Sequence, residues 1–202
     1  MSPPRVPRSG RHRAPPVALW GTFLVAAAAV LLVETVDLSP RSAALHAGGL
    51  GVLGLLLLLL SFTDPSAWWT AIPAGTALGA GAAVLTGTTQ LGGHPTRGPA
   101  WAWFLALTSL GFWAVYLRSH HRWWALVHGG VLTTLAAVVL GAPLGPGDVV
   151  VALLGLGATC LLLAVLPTGG PAMTWPLVPA LVLLTFGALL VIGADVALAL
   201  LN

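Results

Sequence analysis

Few residues in this chain could do chemistry, and most of them crowd one side of its apolar segments. Four of the five acids, Glu34, Asp37, Asp148 and Asp195, fall at the same set of segment ends as Arg41, His46, His94 and Arg97. Carboxylates gathered there would offer hard oxygen ligands to a divalent cation or a cationic partner. Glu34, Asp37, Arg41, His46, Asp148 and Asp195 therefore form a candidate outer-face polar cluster. The simpler reading is interfacial charge, solvated or paired with Arg41, because charge at a membrane surface costs little compared with charge at the bilayer centre. A second group, His120, His121 and His128, lies toward the opposite ends. Haem needs two inward ligands at matched depth, and zinc needs a workable spacing and a fourth donor. The three histidines supply neither, so no metal and no cofactor is expected.

Depth decides what the remaining groups can do. At the helical rise, Glu34 lies about 26 Å along its segment from Val17, and Asp195 lies about 30 Å from Trp175. Both reach an interface. His128 is only about 8 Å inside Trp123. The groups left near the midplane are Thr108, Ser109, Thr133, Thr134, Thr159, Cys160 and Thr185, and such hydroxyls can bond to the preceding turn of their own helix. A membrane helix with no central acid, base or histidine has nothing to relay a proton or hold a coupling cation. This argues against an ion-coupled transporter. Nucleophilic catalysis is not indicated either: there is no G-x-S-x-G and no Ser–His pairing at common depth. No catalytic residue is expected.

The elements that must position these residues are membrane helices. The 202 residues are 57% hydrophobic and only 6% charged, with a mean hydropathy of +0.96. Too little polar surface exists to clothe a water-soluble globule. All eight basic residues are Arg, which excludes lysine Schiff-base chemistry, and the lone Cys160 excludes an intrachain disulfide. Residues 1–16 read as a disordered, Arg- and Pro-rich tail. Residues 17–202 read as one transmembrane domain with helices near 17–36, 43–62, 68–88, 100–117, 123–140, 148–166 and 175–201, each about the 17–25 residues that cross a bilayer. Six arginines (Arg5, Arg8, Arg11, Arg13, Arg118, Arg122) fall on one side and two on the other. The positive-inside rule then predicts a cytoplasmic N-terminus and an external C-terminus. Trp20, Trp68, Trp69, Trp123, Trp124 and Trp175 would anchor the inner interface. Gly75 and Gly79 form a G-x-x-x-G suited to close helix packing.

The tryptophans also mark a repeat. WTAIPAGTALGAGAAVL from Trp69, WALVHGGVLTTLAAVVL from Trp124 and WPLVPALVLLTFGALLV from Trp175 align without gaps, with a weaker copy from Trp20. Their starts lie about 50 residues apart, a repeat-like period. Three hairpins and a final half-unit give an all-α bundle of about seven transmembrane helices, built from parallel hairpin repeats. The motifs WWTAIPAG (Trp68–Gly75) and WWALVHGG (Trp123–Gly130) resemble the Trp-Trp hairpin repeats of bacterial multi-pass membrane proteins. They are distantly similar to HdeD-like and LiaF-like transmembrane regions. That resemblance implies a stress- or envelope-associated membrane role without any agreed enzymatic activity, so no catalytic residues carry over. Together these readings predict a non-enzymatic bacterial inner-membrane protein acting by lateral association, alone or as a subunit of a larger assembly. Its partners would be the lipid bilayer and a membrane protein or a second copy. The alternatives are a facilitator or channel for a small solute, and a metal- or haem-binding membrane enzyme using the outer acids or His128. Nucleic-acid binding would need far more basic surface outside the membrane.

Overall fold

The computed structural model describes residues 40–89, 97–141, 146–168 and 173–201. The expected tail, the expected helix 17–36, Trp20 and the loop residues from Gln90 to Thr96 lie outside these. The described residues form six α-helices and no strand. They are α1 (Pro40–Thr63), α2 (Ala71–Thr89), α3 (Arg97–Arg118), α4 (Trp123–Leu140), α5 (Pro146–Val165) and α6 (Leu177–Leu201). Five stretches are long and apolar enough to cross a membrane: Ser42–Thr63, Pro65–Gly87, Pro99–Arg118, Trp123–Leu140 and Gly147–Val165. A shorter apolar helix, Leu177–Gly193, follows them. The chain is a multi-pass membrane protein.

Local sequence explains where the helices begin. α2 starts later than the 68–88 expected for it, because Pro65–Thr70 winds as a 3-10 turn. Asp64 caps that turn, its carboxylate accepting from the Ser66 backbone N–H at 2.8 Å, and Pro65 follows at a position where a missing N–H costs nothing. Ala67 leaves helical geometry at φ −92° and ψ 22°. The fully buried Thr70 then ties the turn down, its hydroxyl shared between the Ala67 carbonyl at 2.7 Å and the Leu57 carbonyl of α1 at 3.1 Å. α6 likewise starts at Leu177 rather than Trp175. Pro176 cannot donate to the ladder, and Ala180 N–H donates back to it at 3.0 Å. The three aligned tryptophans thus occupy different local structures: Trp69 in the 3-10 turn, Trp124 in the first turn of α4, and Trp175 ahead of α6.

The helices pack as an open row. Among the described residues each α-helix touches only its neighbours in sequence: α1 on α2, α2 on α3, and so on to α5 on α6. Lipid tails are as apolar as leucine, so the seams hold by close approach and by hydrogen bonds, and small residues permit both. In α2, Gly75 faces the Leu107 carbonyl and Gly111 of α3, and Gly79 faces the Phe104 backbone. Gly111 in turn faces the Ala71 carbonyl and Ile72. At the next seam but one, Gly130 of α4 receives Thr159 of α5, while Gly155 of α5 receives Thr134 of α4. Gly157 and Gly187 accept Leu184 and Leu154 across the α5–α6 seam. Each pair runs low number against high number, so successive helices are antiparallel.

A Cβ added at Gly111 would stand 2.5 Å from the Ala71 carbonyl oxygen, a backbone atom that cannot swing aside. Gly111→Ala should therefore lower stability by about 1–3 kcal/mol through overpacking. Gly48→Ala, where nothing lies within 4 Å, should leave the thermal unfolding midpoint in detergent unchanged or slightly raised. Equal midpoints for the two variants would remove the seam from the account.

Candidate functional site

The polar and aromatic groups with defined geometry gather at the end of the row that carries the α3–α4 turn. That turn is short. Ser119 N–H donates to the carbonyls of Val115 (3.2 Å) and Tyr116 (3.0 Å), Arg122 N–H to Ser119 (3.0 Å), and Ala125 N–H to Arg122 (2.9 Å). Beneath it lies a small core of Ala71, Val115, Tyr116, Ala125, Leu126 and Leu163. Tyr116 is 2% exposed, and its hydroxyl donates to the Pro167 carbonyl at 3.0 Å, tying α3 to the segment after α5.

Aromatic rings form a connected chain over this core. The Arg122 guanidinium lies 3.6 Å over the Trp68 ring, a cation–π contact. Trp68 meets Trp124 edge-on at 6.4 Å, and Trp124 meets Phe112 at 6.2 Å and His128 at 5.9 Å. His128 stacks on Phe112 at 5.4 Å and 14°. Its Nδ1 lies 2.7 Å from the Trp124 carbonyl. A carbonyl only accepts, so Nδ1 carries the proton there.

The structure gives His120, His121 and His128 different surroundings. His128 is engaged by α4 and Phe112, His120 sets its ring edge-on to Tyr116 at 5.1 Å, and His121 is exposed. Among the described residues no group of three or more His, Cys, Asp or Glu could hold a metal. Of the outer group, Glu34 and Asp37 lie outside the described residues, as do the side chains of Arg41 and Asp195. His46 on α1 and Asp148 on α5 stand on helices that make no contact. His46 is half-buried, with an Nδ1 that finds no partner among the described residues, and Asp148 is half-buried in the first turn of α5.

Mid-membrane hydroxyls behave in two ways. Thr108, Thr134 and Thr159 donate to carbonyls four residues back, at 2.7, 2.9 and 2.9 Å. Ser109 instead crosses to α4, reaching the Gly129 carbonyl at 2.9 Å and Thr133 Oγ1 at 2.6 Å. Thr133 also reaches the Gly129 carbonyl at 2.8 Å and accepts from the Trp113 indole N–H at 3.2 Å. Two hydroxyl protons thus serve three contacts, and the α3–α4 seam is pinned at one depth.

Sequence reading missed three features here. Asp64–Pro65–Ser66 carried a legible signal, a capping acid followed by proline. The Ser109 bridge and the Arg122–Trp68 stack carried none, because each depends on which helix faces which.

Two outcomes follow. Ser109→Ala should cost about 0.6–1.7 kcal/mol, the range for a hydrogen bond between membrane helices, read as a lower unfolding midpoint; Thr76→Ala, whose hydroxyl donates only to Ile72 of its own helix at 3.0 Å, should cost less. The Asp64 carboxyl is held below its ordinary range, first by the Ser66 backbone N–H and then by the Ser66 hydroxyl. A depressed carboxyl stabilises above its unfolded pKa, about 3.9, and loses that contribution as pH falls through its folded value. Asp64→Ala should lower the unfolding midpoint at pH 7, and the gap should close on acidification below about pH 3.9. A gap independent of pH would reject the charged cap.

No family model, curated protein or solved structure matches the chain.

Proposed function

We propose that this chain is a non-enzymatic bacterial inner-membrane protein that works by lateral association, in envelope or stress maintenance or as a subunit of a larger membrane assembly. In this reading the chain has seven helices, the first over 17–36, built from hairpin repeats with the N-terminus cytoplasmic. The observation that carries the proposal is the open row. α6 packs on α5 alone among the described helices, and Leu181, Phe186, Leu189 and Ile192 remain 58–70% exposed along it. A flank of that kind is available to another membrane helix. Among the described residues the hydroxyls of Thr108, Ser109, Thr133, Thr134 and Thr159 are spent on contacts within and between helices, and Asp148 stands in the first turn of α5. The resemblance of WWTAIPAG and WWALVHGG to bacterial hairpin repeats supports the envelope role.

The test is purification in a gentle detergent from the native membrane, with mass spectrometry of the intact complex. The expected result is a fixed ratio of this chain to one membrane protein or to a second copy. Substitution of Phe186 and Leu189 by Ala should weaken that association while leaving the far-UV circular dichroism unchanged. A strictly monomeric chain would overturn the proposal, as would turnover of a lipid substrate abolished by Ala at Glu34 or Asp195.

A further inference from the structure

The α3–α4 turn brings two guanidiniums to one end of the row with little negative charge to meet them. Arg118 closes α3, and Arg122 is the N-cap residue of α4. The Arg122 guanidinium is held below its ordinary range, first by burial and then by the Arg118 charge. Neither arginine forms an ion pair with a carboxylate among the described residues. Asp64 feels the charge of Arg118, but its Oδ1 is already engaged by the Ser66 N–H and hydroxyl, both at 2.8 Å. His120 and His121, also exposed on this turn, add no negative charge.

The geometry suits an oxyanion. The Arg122 guanidinium rests 3.6 Å over Trp68. A guanidinium that spends its face on a ring keeps its N–H edge, whose fork matches a phosphate or carboxylate. The start of α4 has no side-chain cap. Ala125 N–H already donates to the Arg122 carbonyl, while the Trp123 and Trp124 N–H groups ahead of it add donors and the positive end of a helix dipole beside the two arginines. The level is that of lipid headgroups, since both α3 and α4 are membrane spans that end here. Trp123 and Leu117 stand 38% and 67% exposed at the ends of the same helices. They give apolar surface to the glycerol and first methylenes of a lipid, which a free phosphate could not use.

We infer that Arg118, Arg122 and the uncapped start of α4 bind the phosphodiester of an anionic membrane phospholipid, with Trp68 holding the Arg122 guanidinium toward it. This site does not depend on lateral association and goes beyond it. The test uses the full chain in nanodiscs of mixed phosphatidylglycerol and phosphatidylcholine, followed by native mass spectrometry of the lipids that stay bound. The expected result is a preference of roughly tenfold or more for phosphatidylglycerol, as charge-assisted bonds to one phosphate would give. The double variant R118Q/R122Q should lose it while keeping native far-UV circular dichroism. Its N-terminal arginines are untouched, so a preference that persists would belong to them and overturn the inference. W68L should retain part of the preference. Equal retention of the two lipids by the wild-type chain would also overturn the inference, and that result needs no variant to fold. So would displacement of phosphatidylglycerol by inorganic phosphate at matched concentration, because the ligand would then be the free ion.

Discussion

The structure depends on how closely two helix backbones can approach inside a membrane. Water drives soluble helices together by expelling their apolar faces, but lipid gives no such push. Contact must then come from dispersion and from the occasional hydrogen bond, and both fall away within an ångström of extra separation. The seams of this protein meet that demand with glycine. Gly75, Gly79 and Gly111 let the backbones of α2 and α3 touch directly, and Gly130 and Gly155 exchange cavities with Thr159 and Thr134 between α4 and α5. The same threonines return their hydroxyl protons to Gly155 and Gly130 carbonyls of their own helices, at 2.9 Å in both cases. Their polar ends are thus satisfied within their own helices while the whole side chain fills the space a glycine leaves on the next.

Seams of this kind act pairwise, and a pairwise rule applied along a chain of short turns produces a row. Nothing in it requires α1 to meet α5 or α6, and among the described residues they do not. Stability is then distributed as in a repeat protein, neighbour by neighbour. The exception is the end bearing the α3–α4 turn, where Tyr116 reaches Pro167 and a true buried cluster forms from α2, α3, α4 and α5. That end also concentrates the ionisable groups with defined partners: Arg122 over Trp68, Asp64 on Ser66, and His128 on the Trp124 carbonyl. An aromatic ring is the one neighbour that welcomes a cation and an acyl chain alike, so the collar of Trp68, Phe112 and Trp124 suits the boundary between headgroups and hydrocarbon.

The sequence by itself determined the class and most of the helix boundaries. Continuous apolar runs broken by Pro, Gly and charge have only one backbone solution in lipid, the helix, and 123–140 matches α4 residue for residue. It also determined the N-cap at Asp64, since an acid followed by proline dictates its own local geometry without help from elsewhere. Partnership was beyond it. Helices that are apolar on every side carry no stripe to say which face meets which neighbour, so the sequence left open whether Gly75 and Gly79 would meet α3 or a partner. For the same reason Ser109 read as one more hydroxyl able to bond its own turn, although it crosses to Gly129 and Thr133. Residues four positions apart around a turn, Arg118 and Arg122, became a paired cationic site only when the 3-10 turn set Trp68 beneath one of them. Local rules fix what a residue can offer; only the packing of one helix on the next decides who receives it.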